Sequence, residues 1–112
     1  MRASAIIVTT GNQIEGHRIQ QYLGVVRGIV VRAPSIGQGF SGALSSIFGG
    51  NIGAFEEMCD QAREQAFDRM VEHAGQLGAD GIIGMRFDAT ELMQHTTEVL
   101  AYGTAVKLAP AG

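Results

Sequence analysis

The strongest pattern of apolar and polar positions along the chain is helical and runs from Ala54 to Leu77. Apolar residues recur there every three or four positions, which is typical of an amphipathic helix that packs on a core. Gly78 follows as a helix stop. The apolar stripe is expected to face the core, and it comprises Phe55, Cys59, Ala62, Ala66, Met70, Ala74 and Leu77, widened by Met58, Phe67 and Val71.

Four other segments have the short, β-branched composition of strands. They are Ala5–Thr9, Tyr22–Arg32, Gly81–Ala89 and Thr96–Leu108. The second is apolar on both faces, so it is expected to be bent or bulged at its glycines and to be buried on both sides or against a neighbouring subunit. Alternation predicts a shared face for Ile83, Met85 and Phe87, and another for Leu100, Tyr102, Val106 and Leu108. The order of elements predicts an α+β fold, a small antiparallel-rich sheet with one long helix on one face.

The segment between the second strand and the long helix is rich in glycine. Phe40, Leu44 and Phe48 lie at helical spacing in it and predict a short second helix, closed by Gly49 and Gly50. The stretch Gly37–Gly42 has the letters GxGxxG of a dinucleotide site. The required strand and acidic residue do not follow it, so a flexible or interface loop is the favoured interpretation.

Length and charge exclude several classes of protein. The 112 residues predict a single domain, 1–112. The net charge is −3 without any Lys/Arg block, which argues against nucleic acid and an anionic membrane as partners. The first apolar run, Ala5–Val8, is too short for a signal peptide. One cysteine permits no intrachain disulfide, and together these features predict a cytoplasmic protein.

The candidate metal ligands are His17 and His95, which lie near strand ends and could converge within one subunit or across two. A divalent metal ion is the cofactor that such a pair would take. Cys59 lies on the apolar stripe and is expected to be a buried core residue rather than a ligand. No spacing places a base beside a nucleophile, so no catalytic residue is assigned.

Several strings together resemble the YbjQ-like family, which is labelled as heavy-metal-binding. They are Thr9-Thr10, Ile14–Gly16, Tyr22–Val26 with Gly28, Gly49-Gly50, Ala62–Glu64 with Ala66, Leu77–Gly84 and Tyr102–Val106. The resemblance implies a dodecin-like subunit that forms a ring, with five copies as the expected number. The family defines no catalytic residues, and Phe55 stands where relatives often have Tyr.

The leading expectation is therefore a homo-oligomeric binding or scaffold protein without catalytic activity, whose partner is itself. The alternative is a heavy-metal-binding protein with ligands shared between subunits. A third class is a small enzyme with its active site at the subunit interface.

Overall fold

The computed structural model describes residues 6–32, 52–93 and 96–111. This part of the chain forms four strands and one helix, in the order β1 (Ile7–Val8), β2 (His17–Arg32), α1 (Ile52–Gln76), β3 (Gly81–Met93) and β4 (Thr96–Pro110). The predicted α+β class is confirmed, with one long helix on a small sheet. The predicted short helix and the GxGxxG stretch lie outside the described residues.

The sheet has the strand order β1-β3-β4-β2. β3 and β4 form an antiparallel hairpin, β2 pairs antiparallel with β4, and β1 pairs parallel with β3. The short strand β1 pairs through only two residues, Ile7 with Gly81 and Val8 with Ile82. Both β1 and β2 are therefore edge strands of the described sheet.

The helix α1 packs over the β2 and β4 side of the sheet, with much less contact to β3. Its buried residues are the small or flexible Ala62, Ala66, Met70 and Ala74. Gly28 of β2 lies so close to α1 that a Cβ there would collide with the helix backbone at Ala66 and Met70. The small residues thus allow the helix to approach the sheet closely.

Two members of the predicted stripe do not reach the core. Cys59 is exposed, so its expected place in the core is wrong, and Leu77 is also exposed. Arg32, the last residue of β2, reaches α1 at Gln65, where its Nη2 donates to Oε1 at 3.1 Å. The helical turns before Ala62 therefore extend past the end of β2, which explains why Cys59 finds no core beneath it.

β2 begins five residues earlier than the sequence predicts, because the polar segment from His17 to Gln21 pairs with the end of β4. The expected irregularity is confirmed at Gly24, where φ is +118° and the register with β4 shifts. Of the two alternatives predicted for β2, burial on both faces within the described chain is wrong, and burial against a neighbouring subunit stays a prediction. Val25 and Val31 are exposed on the face away from α1.

β3 also departs from simple alternation. Gly84 has φ +63°, and the register with β4 shifts between Ile83 and Arg86. This irregularity places Met85 in the core under α1 together with Ile82, while Ile83 joins a small cluster with Ile14 and Val106. The predicted shared face of Ile83 and Met85 is therefore wrong, because one left-handed residue between them reverses the alternation.

No helix in the described residues is long and apolar enough to cross a membrane.

Candidate functional site

A groove runs between α1 and the edge strand β1. It exists because α1 covers the β2 and β4 side of the sheet and leaves the other side open. The groove has a volume of about 850 Å³. It is lined by Ile6, Val8, Phe67, Asp68, Val71, Glu72, Gly75 and Gln76.

The lining of the groove combines an apolar surface with two carboxylates. Ile6, Val8, Phe67 and Val71 are partly buried and pack against the main core cluster. Asp68 and Glu72 are exposed and lie one helical turn apart. The arrangement suits a ligand with an apolar body and a positive charge.

The opposite flank of α1, along β2, is basic. Arg69 Nη1 donates a hydrogen bond of 2.6 Å to the carbonyl oxygen of Ile29. The backbone N–H of Arg27 donates to Nδ1 of His73 at 3.2 Å. Arg32 occupies the same flank through its bond to Gln65. These groups lie on the β2 side of α1, whereas Arg63 lies on the β3 side, with its guanidinium 5.7 Å from the centre of the Phe87 ring.

The face of the sheet that α1 does not cover carries large apolar side chains. Tyr22, Val25 and Val31 of β2 are 66%, 69% and 55% exposed. Ile29 pairs with Leu100 on the same face, and both are half-buried. We call the residues Tyr22, Val25, Ile29, Val31, Leu100 and Tyr102 the open face.

The structure describes one of the two predicted metal ligands, His17. His17 is the first residue of β2 and is exposed, and its Nδ1 lies 3.1 Å from the carbonyl oxygen of Glu15. Because a carbonyl only accepts, Nδ1 is the donor in this contact, which leaves Nε2 as the acceptor nitrogen of the ring. His95 lies outside the described residues, so its convergence with His17 stays a prediction.

Other potential ligands do not assemble where the chain is described. Within residues 6–32, 52–93 and 96–111, no three His, Cys, Asp or Glu side chains come together as a metal site. Nδ1 of His73 already accepts the hydrogen bond from Arg27. Cys59 is exposed and is the one thiol in the chain.

The groove was not foreseen from the sequence. The helical pattern predicts that Phe67 and Val71 widen the buried stripe, and it gives no indication that Asp68 and Glu72 border a groove. One signal was available. Gly75 lies inside an otherwise strong helical pattern, and an unexplained helical glycine often marks a close approach by something else.

Comparison with known proteins gives a consistent result. A UPF0145 protein of Legionella pneumophila strain Lens is 61% identical over 101 residues, which cover 90% of this chain and 96% of that relative. A UPF0145 protein of Solibacter usitatus strain Ellin6076 is 53% identical over 104 residues, covering 93% of each chain.

A solved structure has the same fold. It is a protein of the DUF74 family from Pediococcus pentosaceus, described as having unknown function, with a TM-score of 0.63 and 21% identity. The match covers 93% of this chain and 98% of that one. The YbjQ family model, whose description reads "Putative heavy-metal-binding", matches residues 6–109. The chain therefore belongs to the YbjQ family, together with its UPF0145 relatives.

Proposed function

We propose that this protein is a homo-oligomeric binding or scaffold protein without catalytic activity, and that it forms a closed ring of five subunits. The observation that carries the proposal is the open face. This face concentrates exposed apolar side chains, with Arg27, Glu98 and Thr104 between them, and exposed apolar patches can mark interaction surfaces. Val25 and Val31 are among the most exposed apolar residues of the described chain, and they lie on one strand.

The two edges of the sheet also support association between copies. Among the described strands, β2 has a neighbour on only one side along its 16 residues. At the other edge of the sheet, β1 pairs only with the start of β3. The segment of β3 from Arg86 to Met93 therefore has a described strand, β4, on one side only. Unpaired strand edges are templates for pairing with another chain.

The two edges differ, so a contact between them would be head-to-tail. Such a contact generates a ring when the rotation closes. The number five comes from the family resemblance.

Native mass spectrometry of the purified chain at micromolar concentration tests the proposal. A species of five times the 11.8 kDa chain mass is expected. The double variant Val25→Glu/Val31→Glu should dissociate it, because both side chains are exposed in the subunit and the change leaves its own core intact.

Leu77→Glu is the matched control, since Leu77 is an exposed apolar residue outside the open face. It should leave the assembly unchanged, and circular dichroism should show that all three proteins are folded. A wild-type protein that remains a monomer would contradict the proposal.

A second candidate function, heavy-metal binding, is favoured by the description of the family model. Soft metal ions prefer thiolates, and this chain supplies one, at the exposed Cys59. We expect only weak zinc or copper binding that depends on His17 and His95. Titration calorimetry on the wild type, Cys59→Ala and His17→Ala/His95→Ala separates the two ligand types. Nanomolar affinity that is lost in Cys59→Ala would promote metal binding to the first candidate.

A further inference from the structure

The groove between α1 and β1 combines a strand edge with which no described strand pairs, an apolar lining and a pair of carboxylates. We infer that it binds an extended peptide segment that pairs along β1 and directs apolar and basic side chains, two residues apart, into the groove. The groove is distinct from the open face, so the inference goes beyond the proposed assembly.

The free edge of β1 provides the backbone part of the site. The N–H of Ile7 donates to the carbonyl oxygen of Asp80 at 3.1 Å, and that of Thr9 donates to Ile82 at 3.0 Å. Because alternate residues of a strand direct their backbone groups to opposite sides, those of Val8 point away from β3. An added strand can use them, as in peptide recognition by strand addition.

The side chains of β1 set the face on which a ligand would lie. Ile6 and Val8 both line the groove, whereas Ile7, between them, is exposed. A peptide strand beside β1 has the same alternation, so every second side chain lies over Phe67 and Val71. An apolar residue at one of these positions extends the existing apolar surface.

Asp68 and Glu72 define the charge of the ligand. Within the described residues the only salt bridge joins Lys107 and Asp80, so neither groove carboxylate has a cationic partner there. Like charges four residues apart on a helix destabilise each other, and a cation between them removes that repulsion.

The spacing of the two carboxylates matches the repeat of a strand. Four helical residues rise about 6 Å, and two strand residues rise about 6.8 Å. Lysine or arginine side chains at positions i and i+2 of the peptide can therefore reach both carboxylates together.

Gly75 gives independent support for an external occupant. It lies inside α1 and lines the groove. A Cβ added there would meet nothing closer than Cδ1 of Ile6 at 4.0 Å, and φ is not positive. Packing among the described residues therefore does not require glycine at this position, unlike at Gly28. The missing side chain leaves room for the backbone of a ligand.

The probe is a fluorescein-labelled peptide of sequence Thr-Val-Thr-Lys-Thr-Lys-Thr, followed by fluorescence anisotropy at low ionic strength. Its valine and lysines share one face of an extended chain. Binding to the wild type should be saturable and should weaken about fivefold in Asp68→Asn/Glu72→Gln, because two partly exposed ion pairs are lost. The same peptide with glutamate in place of both lysines should not bind.

Asp60→Asn/Glu64→Gln is the matched control, because it removes the same two charges at the same spacing on α1 without touching the groove. It should change affinity less than twofold. Gly75→Leu should also weaken binding, while its thermal melt shows that the protein is folded. Equal affinity for the lysine and glutamate peptides, or equal losses in the two double variants, would overturn the inference.

Two further measurements separate this site from the proposed assembly. Val25→Glu/Val31→Glu should bind the peptide with wild-type affinity even when it is monomeric. If Asp68→Asn/Glu72→Gln instead dissociates the oligomer and the peptide does not bind, the groove is filled by a second copy and the peptide proposal fails.

Discussion

The two faces of β2 carry valines of the same size, yet the described chain covers only one of these faces. Val26 and Val30, on the face under α1, are 0% and 4% exposed, whereas Val25 and Val31, on the open face, are 69% and 55% exposed. Gly28 lies between the two buried valines, where a Cβ would collide with the backbone of α1. The missing side chain lets α1 lie close to this face of the strand, and no described helix covers the other face. The close approach of the helix, more than hydrophobicity, thus distinguishes the two faces.

The largest expected effect comes from breaking the close approach of the covered face. In Gly28→Val a branched side chain would overlap the backbone of α1 at Ala66 and Met70. Since backbone cannot move aside cheaply, we expect a loss of about 3 kcal/mol or more in the free energy of unfolding. Urea denaturation followed by circular dichroism measures it. A loss under about 1 kcal/mol would mean that α1 does not lie against β2 as described.

A paired truncation sharpens the comparison. Met70 is fully buried, so Met70→Ala should cost about 2–5 kcal/mol through lost burial and a cavity. Val31 is on the open face, and Val31→Ala should change the stability of the subunit by less than about 0.5 kcal/mol. Both are measured by urea denaturation in the Val25→Glu background, once native mass spectrometry shows that this variant is a monomer, so that association does not contribute. Equal losses would show that the two faces are equally buried in the subunit.

The smallest expected effect has the opposite sign. Gly75→Ala should raise the free energy of unfolding by about 0.5–1 kcal/mol, since alanine is the better helix former and its Cβ fits beside Ile6. Thermal unfolding compared with the wild type tests this. A destabilised variant would indicate that Gly75 is needed for packing within the chain, and it would remove one support for the peptide site.

Much of the fold could be predicted from the sequence because its periodic signals are strong. The helix from Ile52 to Gln76 was placed within two residues of its bounds, since i, i+3 and i+4 spacing persists over more than six turns. The start of β2 was missed because His17–Gln21 has a polar composition. This polar segment forms a strand because its backbone pairs with the end of β4, and hydrogen bonding between strands does not require apolar side chains.

The faces of β3 and the environment of Cys59 could not be read from spacing. The reversal at Gly84 depends on a single left-handed backbone conformation, which alternation of residue types does not encode. Cys59 fits the helical stripe, but burial also depends on where the neighbouring strand ends, and this is a tertiary property. The groove depends on how far α1 is displaced toward β2, which is again set by packing rather than by pattern.

The pairing of β2 with β4 has a consequence for synthesis on the ribosome. His17 pairs with Pro110, so β2, which is made early, pairs with the last strand of the chain to be made. Arg32 emerges 64 residues before Thr96, since 96 − 32 = 64, which corresponds to about 3–13 s at ordinary rates of translation. During that interval the backbone of β2 lacks the strand with which it pairs, although α1, which covers Val26 and Val30, is made before β4. The unpaired edge of β2 and its exposed valines, Val25 and Val31, can therefore associate with other chains until β4 is made. Slower translation lengthens the time during which this can happen.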